Sequence, residues 1–137
     1  MNPQDFINLY NSDKDITSGA YLLASGEVTA YPNPLGPGLD YKEVLKMKKP
    51  IKVHSVGFGF LCIKQGVFES LSRPWFGSIP ITIKKDNTGQ EFTFPIMGED
   101  ISWCHKVAQL GYKIWFDPRV RVTHHKMMTL SWDGIKI

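Results

Sequence analysis

The feature that most constrains this chain is a change of hydrophobic period at Gly98. Before it, Ile79, Ile81 and Ile83 and then Phe92, Phe94 and Ile96 alternate with polar residues, the period of strands with one buried face. Asp86-Asn87-Thr88-Gly89 between the two runs predicts a hairpin, because these residues tolerate the positive φ of a tight turn. After Gly98, Ile101, Cys104, Val107 and Ala108 share one face at helical spacing, and Gly111 is placed to end the helix. A chain that turns from hairpin to helix at one corner is neither all-α nor all-β, and Glu99-Asp100 stand at that corner.

The remaining pattern extends this to one α/β domain over residues 1–137, a mixed sheet with flanking helices. Asn2-Pro3 reads as N-cap and first helical position of a helix running to about Asn11. Ile16 to Leu23 reads as a strand entered through Asp13-Lys14-Asp15. Ala24 to Asp40 reads as a loop, because Tyr31-Pro32-Asn33-Pro34-Leu35-Gly36-Pro37-Gly38 cannot hold a regular ladder, and it is long enough to be functional. Tyr41 to Lys48 predicts a short helix, and Ile51 to Ile63, apolar on both faces towards its end, a central strand. Val67, Phe68 and Leu71 mark a brief helix broken at Arg73-Pro74. Lys113 to Phe116 and Arg119 to Thr123 read as strands hinged at Asp117-Pro118.

Composition narrows the function classes. Hydrophobic residues make up 42% and charged residues 21%, as in a folded domain. A net charge of +3 with scattered basic residues is not the footprint of a nucleic-acid binder, and Lys46, Lys48, Lys49 and Lys52 read as a solvated helix end. Cys62 and Cys104 lie in apolar stretches, which predicts buried free thiols in a reducing compartment. With neither a signal-peptide pattern nor an apolar run long enough for a membrane helix, the expectation is a cytoplasmic protein with no membrane segment.

Four groups carry candidate chemistry. Adjacent carboxylates at a helix start are explained first by the macrodipole that they complement; the functional reading is that one of Glu99 and Asp100 is a general base held at a rigid corner. His124 and His125 follow a strand, where neighbours point to opposite faces, so a metal site would need His124 with carboxylates from elsewhere. In Arg73-Pro74-Trp75-Phe76, either aromatic could stack on a sugar face or plug the core. Gly57 and Gly59 lie in an apolar strand rather than before a helix, which excludes a phosphate loop and suggests close approach by a neighbouring element or a ligand.

In order and spacing these pieces resemble the second half of GT-A-fold nucleotide-sugar glycosyltransferases, especially family 2. The matching runs are Val56-Gly57-Phe58-Gly59-Phe60-Leu61-Cys62-Ile63, Val67-Phe68-Glu69, Arg73-Pro74-Trp75-Phe76, Gly98-Glu99-Asp100-Ile101-Ser102-Trp103-Cys104, Gly111-Tyr112-Lys113-Ile114 and Asp117-Pro118-Arg119-Val120-Arg121-Val122-Thr123-His124. The resemblance implies an inverting transfer from a nucleotide-sugar donor to a carbohydrate acceptor hydroxyl, with Asp100 as base and Glu99 as its partner. It implies Trp75 and Phe76 at the acceptor, Gly57 and Gly59 near the substrate, and His124 completing the site of a divalent metal, Mn or Mg.

The family's donor-binding units and Asp-x-Asp motif lie ahead of the region matched. Asp13-Lys14-Asp15 follows what reads as a helix end rather than a buried strand, so Asp13 and Asp15 are expected to be turn residues. The expectation is a truncated catalytic segment, inactive alone, that self-associates or pairs with a missing amino-terminal half. The alternatives are a non-catalytic carbohydrate-binding or assembly module, and a metal-dependent hydrolase using His124, His125 and Glu99. A cleft shared by Asp100 and His124, with Trp75 or Phe76 on its rim, is the geometry that favours the first.

Overall fold

The computed structural model describes residues 2–34, 36–84, 87–125, 127, 129–132 and 134–136. In chain order the elements are α1 (Pro3–Tyr10), β1 (Ile16–Ala20), β2 (Glu27–Val28), β3 (Ala30–Tyr31), β4 (Leu39–Asp40), α2 (Tyr41–Lys46), β5 (Ile51–Val53), β6 (Ser55–Val56) and β7 (Leu61–Ile63). There follow β8 (Ile81–Lys84), β9 (Glu91–Phe94), α3 (Glu99–Gln109), β10 (Ile114–Arg121), β11 (Thr129–Ser131) and β12 (Gly134–Lys136). This is the expected mixed α/β architecture.

The centre is a four-stranded sheet in the order β5-β10-β1-β7. β1 and β10 pair in parallel, with β7 and β5 antiparallel outside them. Ile16 lies opposite both Ile114 and Ile63, and Ile114 opposite Val53, so these four share a face. Trp103, Cys104 and Val107 of α3 complete the core that Ile16, Ile114 and Val53 enter. On the other face Thr17 lies opposite Trp115 and Cys62. There the Ser12 hydroxyl, just after α1, is 2.9 Å from that of Thr17, and the Lys14 ammonium sits 4.8 Å from the Trp115 ring centre.

Several expectations hold. Asn2 caps α1 by accepting from the Gln4 N–H at 3.0 Å. The hairpin forms with Ile81 opposite Phe94 and Ile83 opposite Phe92, although Asp86 of its expected turn lies outside the described residues. Gly111, at φ +92°, ends α3: its N–H reaches the Ala108 carbonyl and that of Tyr112 the Val107 carbonyl, the paired bonds of a Schellman closure. Asp13 and Asp15 are exposed turn residues, and Asp13 is ion-paired to Lys14 at 2.7 Å.

Others need correction. Residues 51–63 are not one central strand. They form β5 and β7, the two edges of the sheet, and β6, which leaves it to pair with β3. The chain turns at residues 58–60, where a strand through Gly57 and Gly59 would have had to run. Conversely Asp117-Pro118 is no hinge. β10 runs through it buried, and the register with β1 shifts between Ser18 and Ala20, so a bulge absorbs the residue that has no N–H to give.

The expected loop over residues 24–40 contains β2 paired with β4, and β3. The first strand stops at Ala20, with Leu22 bridging Val28 alone, and α2 stops at Lys46. Residues 67–71 form turns rather than a helix. In α3 Ser102 and Trp103 are buried along with Cys104 and Val107, whereas Ala108 is exposed and Ile101 half-buried, because the helix packs on β6 and an aromatic cluster as well as on the sheet. Cys62 is half-buried and Cys104 buried, its thiol pushed up to about 12, chiefly by burial. Among the described residues no helix is long and apolar enough to cross a membrane.

Candidate functional site

The hairpin-to-helix corner becomes a site because α3 begins without a side-chain cap. Gly98 occupies the N-cap in an extended conformation, and Glu99 and Asp100 fill the first turn. There they meet the exposed N–H groups and positive end of the helix, and Asp100 Oδ1 accepts from the Ile101 N–H at 2.8 Å. One turn in, the fully buried hydroxyl of Ser102 accepts from the Ile79 N–H at 3.1 Å and donates to the Met97 carbonyl at 3.3 Å. It thus ties both feet of the hairpin to α3. Ser102 carried no signal in the sequence, since a serine on the apolar side of a helix reads as an interruption of the pattern.

Glu99, Asp100 and Gly98 form one side of an open cavity of about 530 Å³, with Phe58, Phe76 and Ser78 on the other. The aromatic wall is held by edge contacts. Phe58 meets Phe76 at 5.8 Å and Trp103 at 5.2 Å between ring centres, and Phe68 meets Trp75, Phe76 and Trp103. Phe76 is 47% exposed and is therefore the ring offered to the cavity. Trp75 faces the other way: it packs against the core, with the Arg73 guanidinium 4.8 Å from its ring centre. Of the two candidate stacking residues, one lines the cavity and the other plugs the core.

Gly57 and Gly59 do allow a close approach, by Tyr21. A methyl group at Gly57 would lie 2.6 Å from the Tyr21 hydroxyl, and one at Gly59 would overlap the Tyr21 ring. Tyr21 in turn meets His124 edge-on at 5.3 Å, and His124 Nδ1 lies 3.3 Å from the Leu22 carbonyl. His124 is not part of the acidic cavity's lining. Among the described residues no group of three or more His, Cys, Asp or Glu side chains is arranged to hold a metal. Among the described residues His124 has no cluster of carboxylates around it to complete the site of a divalent ion, and His124, His125 and Glu99 do not gather as the hydrolase reading requires.

Tyr31, from the segment expected to be a loop, belongs to the same neighbourhood. Burial, then the charges of Glu27 and Asp100, raise its phenol above the ordinary range. Towards the other end of α3, His54 and His105 stand 6.3 Å apart between ring centres. Burial, then His105, lowers the His54 imidazole below its ordinary value of 6.5.

No family model matches the chain, and neither does any curated protein. A solved structure, the viral protein A197 from STIV, aligns over 98% of this chain with a TM-score of 0.51 and 18% identity. The chain shares the fold of A197. It spans 56% of the length of A197, and at that identity the likeness shows fold alone. The family resemblance read from the sequence is thereby corrected: the match is to this viral protein, and no family-2 or other GT-A model recognises the chain. The reason lies in the runs that carried it. The glycine-containing run is a turn leading to an edge strand, with Tyr21 against its glycines, and the Asp117-Pro118 run is one strand rather than two.

Proposed function

We propose that the Gly98 corner is a carbohydrate-binding site whose Asp100 activates a sugar hydroxyl for glycosyl transfer. One observation supports it above others: Glu99 and Asp100 share a single cavity with the exposed ring of Phe76. An aromatic ring beside carboxylates suits a sugar, whose C–H face packs on the ring while its hydroxyls reach the acid oxygens.

In this reading Asp100 Oδ1 stays anchored to the Ile101 N–H and the other oxygen takes the proton of the acceptor hydroxyl. The freed alkoxide oxygen forms a bond to the donor's anomeric carbon, and the bond to the donor's nucleoside diphosphate breaks with its electron pair on the leaving group. Glu99 orients the acceptor. No metal step is assigned, because among the described residues no group of side chains makes a metal site.

The test has two parts. Saturation-transfer NMR with a panel of neutral mono- and oligosaccharides should detect binding that Phe76→Ala abolishes. With nucleotide-sugar donors added, transfer of labelled sugar to the acceptor that Asp100→Asn abolishes would make the corner catalytic by itself and would refute the expectation that the chain is inactive alone. Binding without transfer would favour the second reading, a non-catalytic carbohydrate module, for which the exposed Phe76 and the position of His124 outside the Asp100 cavity also speak. No saccharide binding at all would sink both.

A further inference from the structure

Behind the wall that carries Ser78 lies a second cavity of about 440 Å³, between the turn Ser70–Pro74 and the carboxyl-terminal half of α3. Among the described residues Arg73 and Lys106 are the ionised ones of its lining, which includes no carboxylate. Among the described residues neither cation is in an ion pair. Both are held by neutral groups instead: Arg73 lies over the Trp75 ring at 4.8 Å, and the Lys106 ammonium donates to the Pro74 carbonyl at 3.4 Å. Ser72 and Ser78 add hydroxyl donors, and Gln109 an amide.

A helix end ordinarily repels an anion through its free carbonyls. Here the Ala108 and Val107 carbonyls are taken by the Gly111 and Tyr112 N–H groups, so two of the last-turn carbonyls are already satisfied. Two positioned cations without counter-charge, in a pocket supplied with donors, have the composition of an oxyanion site.

We propose that this pocket binds the phosphate or carboxylate group of a small molecule, with Arg73 and Lys106 as its two charged contacts. The site does not depend on the sugar-transfer reading. It needs no turnover, and the two cavities can be probed separately.

The experiment is an NMR amide titration with inorganic phosphate, with acetate and, as neutral control, with acetamide. Saturable shifts of Ser72, Lys106 and Gln109 are expected with at least one anion. Phosphate alone would indicate a phosphate ester as ligand, and acetate alone a carboxylate. Lys106→Gln, whose amine touches only a carbonyl, should weaken the anion about tenfold, and Lys48→Gln should leave it unchanged. Arg73→Gln should do the same as Lys106→Gln, with its fold checked by the dispersion of the same spectrum. Non-saturable shifts with both anions, or equal weakening by Lys48→Gln and Lys106→Gln, would overturn the site in favour of general charge attraction.

Discussion

Replacing Ser102 with alanine removes one oxygen, and the structure indicates where the loss falls. The hydroxyl accepts from the Ile79 N–H at 3.1 Å and donates to the Met97 carbonyl at 3.3 Å, and Ser102 is wholly buried. Each bond contributes about 1 kcal/mol net, and a stranded buried N–H costs about 1–3 kcal/mol when water cannot reach it. Ile79 and Met97 are themselves half-buried, so water can recover part of that loss. The expected destabilisation is therefore about 1–2 kcal/mol, a fall of roughly 1 M in the urea midpoint at unchanged slope. Urea unfolding followed by tryptophan fluorescence measures it, and hydrogen exchange at Ile79 should lose protection beyond the global change. Saccharide affinity should fall as well, because Ser78 and Met97 flank the freed joints. A variant with the parental midpoint and an equally protected Ile79 amide would refute the claim that this hydroxyl ties the hairpin to α3.

Three further substitutions test other joints. Gly59→Ala sets a methyl group into the Tyr21 ring and should destabilise the fold by about 1–3 kcal/mol while moving the His124 ring resonances; a silent His124 spectrum would show that Tyr21 does not sit there. Gly111→Ala meets nothing within 4 Å but must hold φ at +92°, so about 1 kcal/mol should be lost to backbone strain alone, read as a lower thermal midpoint. His54 governs a pH dependence. Above its ordinary pKa of 6.5 the imidazole is neutral in both folded and unfolded chains, but as pH falls through 6.5 the unfolded chain takes a proton that the folded one resists. Stability should therefore decline below pH 6.5 until the lowered folded pKa is passed. His54→Gln should flatten that decline in urea titrations at stepped pH, and an unchanged slope would count against the burial of a neutral His54.

The elements legible in the sequence are those set by local chemistry. Alternation and a turn signal mark β8 and β9, Gly111 marks the end of α3, and the acidic pair is found at the corner where the period changes. What was hidden depends on distant partners. Residues 27–40 lack any strand pattern, yet Val28 and Ala30 are buried because residues 39–40 and 55–56 come alongside them. Residues 51–63 have the apolar content of a central strand, but the sheet centre is taken by β1 and β10. Ser102 takes its place at the site only through a hydrogen bond from Ile79, far back along the chain, and Tyr31 feels the charge of Asp100 across a similar separation. The family resemblance failed for a related reason: short runs in the right order carry no information about which strand lies beside which.

The parallel pairing of β1 with β10 also bears on how the chain reaches this fold. Ile16 finds Ile114 only after nearly the whole intervening chain has been laid down, and both edge strands hang on that pair. Local elements such as α1, α3 and the hairpin can flicker early, but the sheet core cannot close piecemeal. Contacts so remote in sequence carry a large loop-closure entropy and slow the search. During synthesis the chain should thus remain open until β10 has left the ribosome and then close late, in one cooperative step.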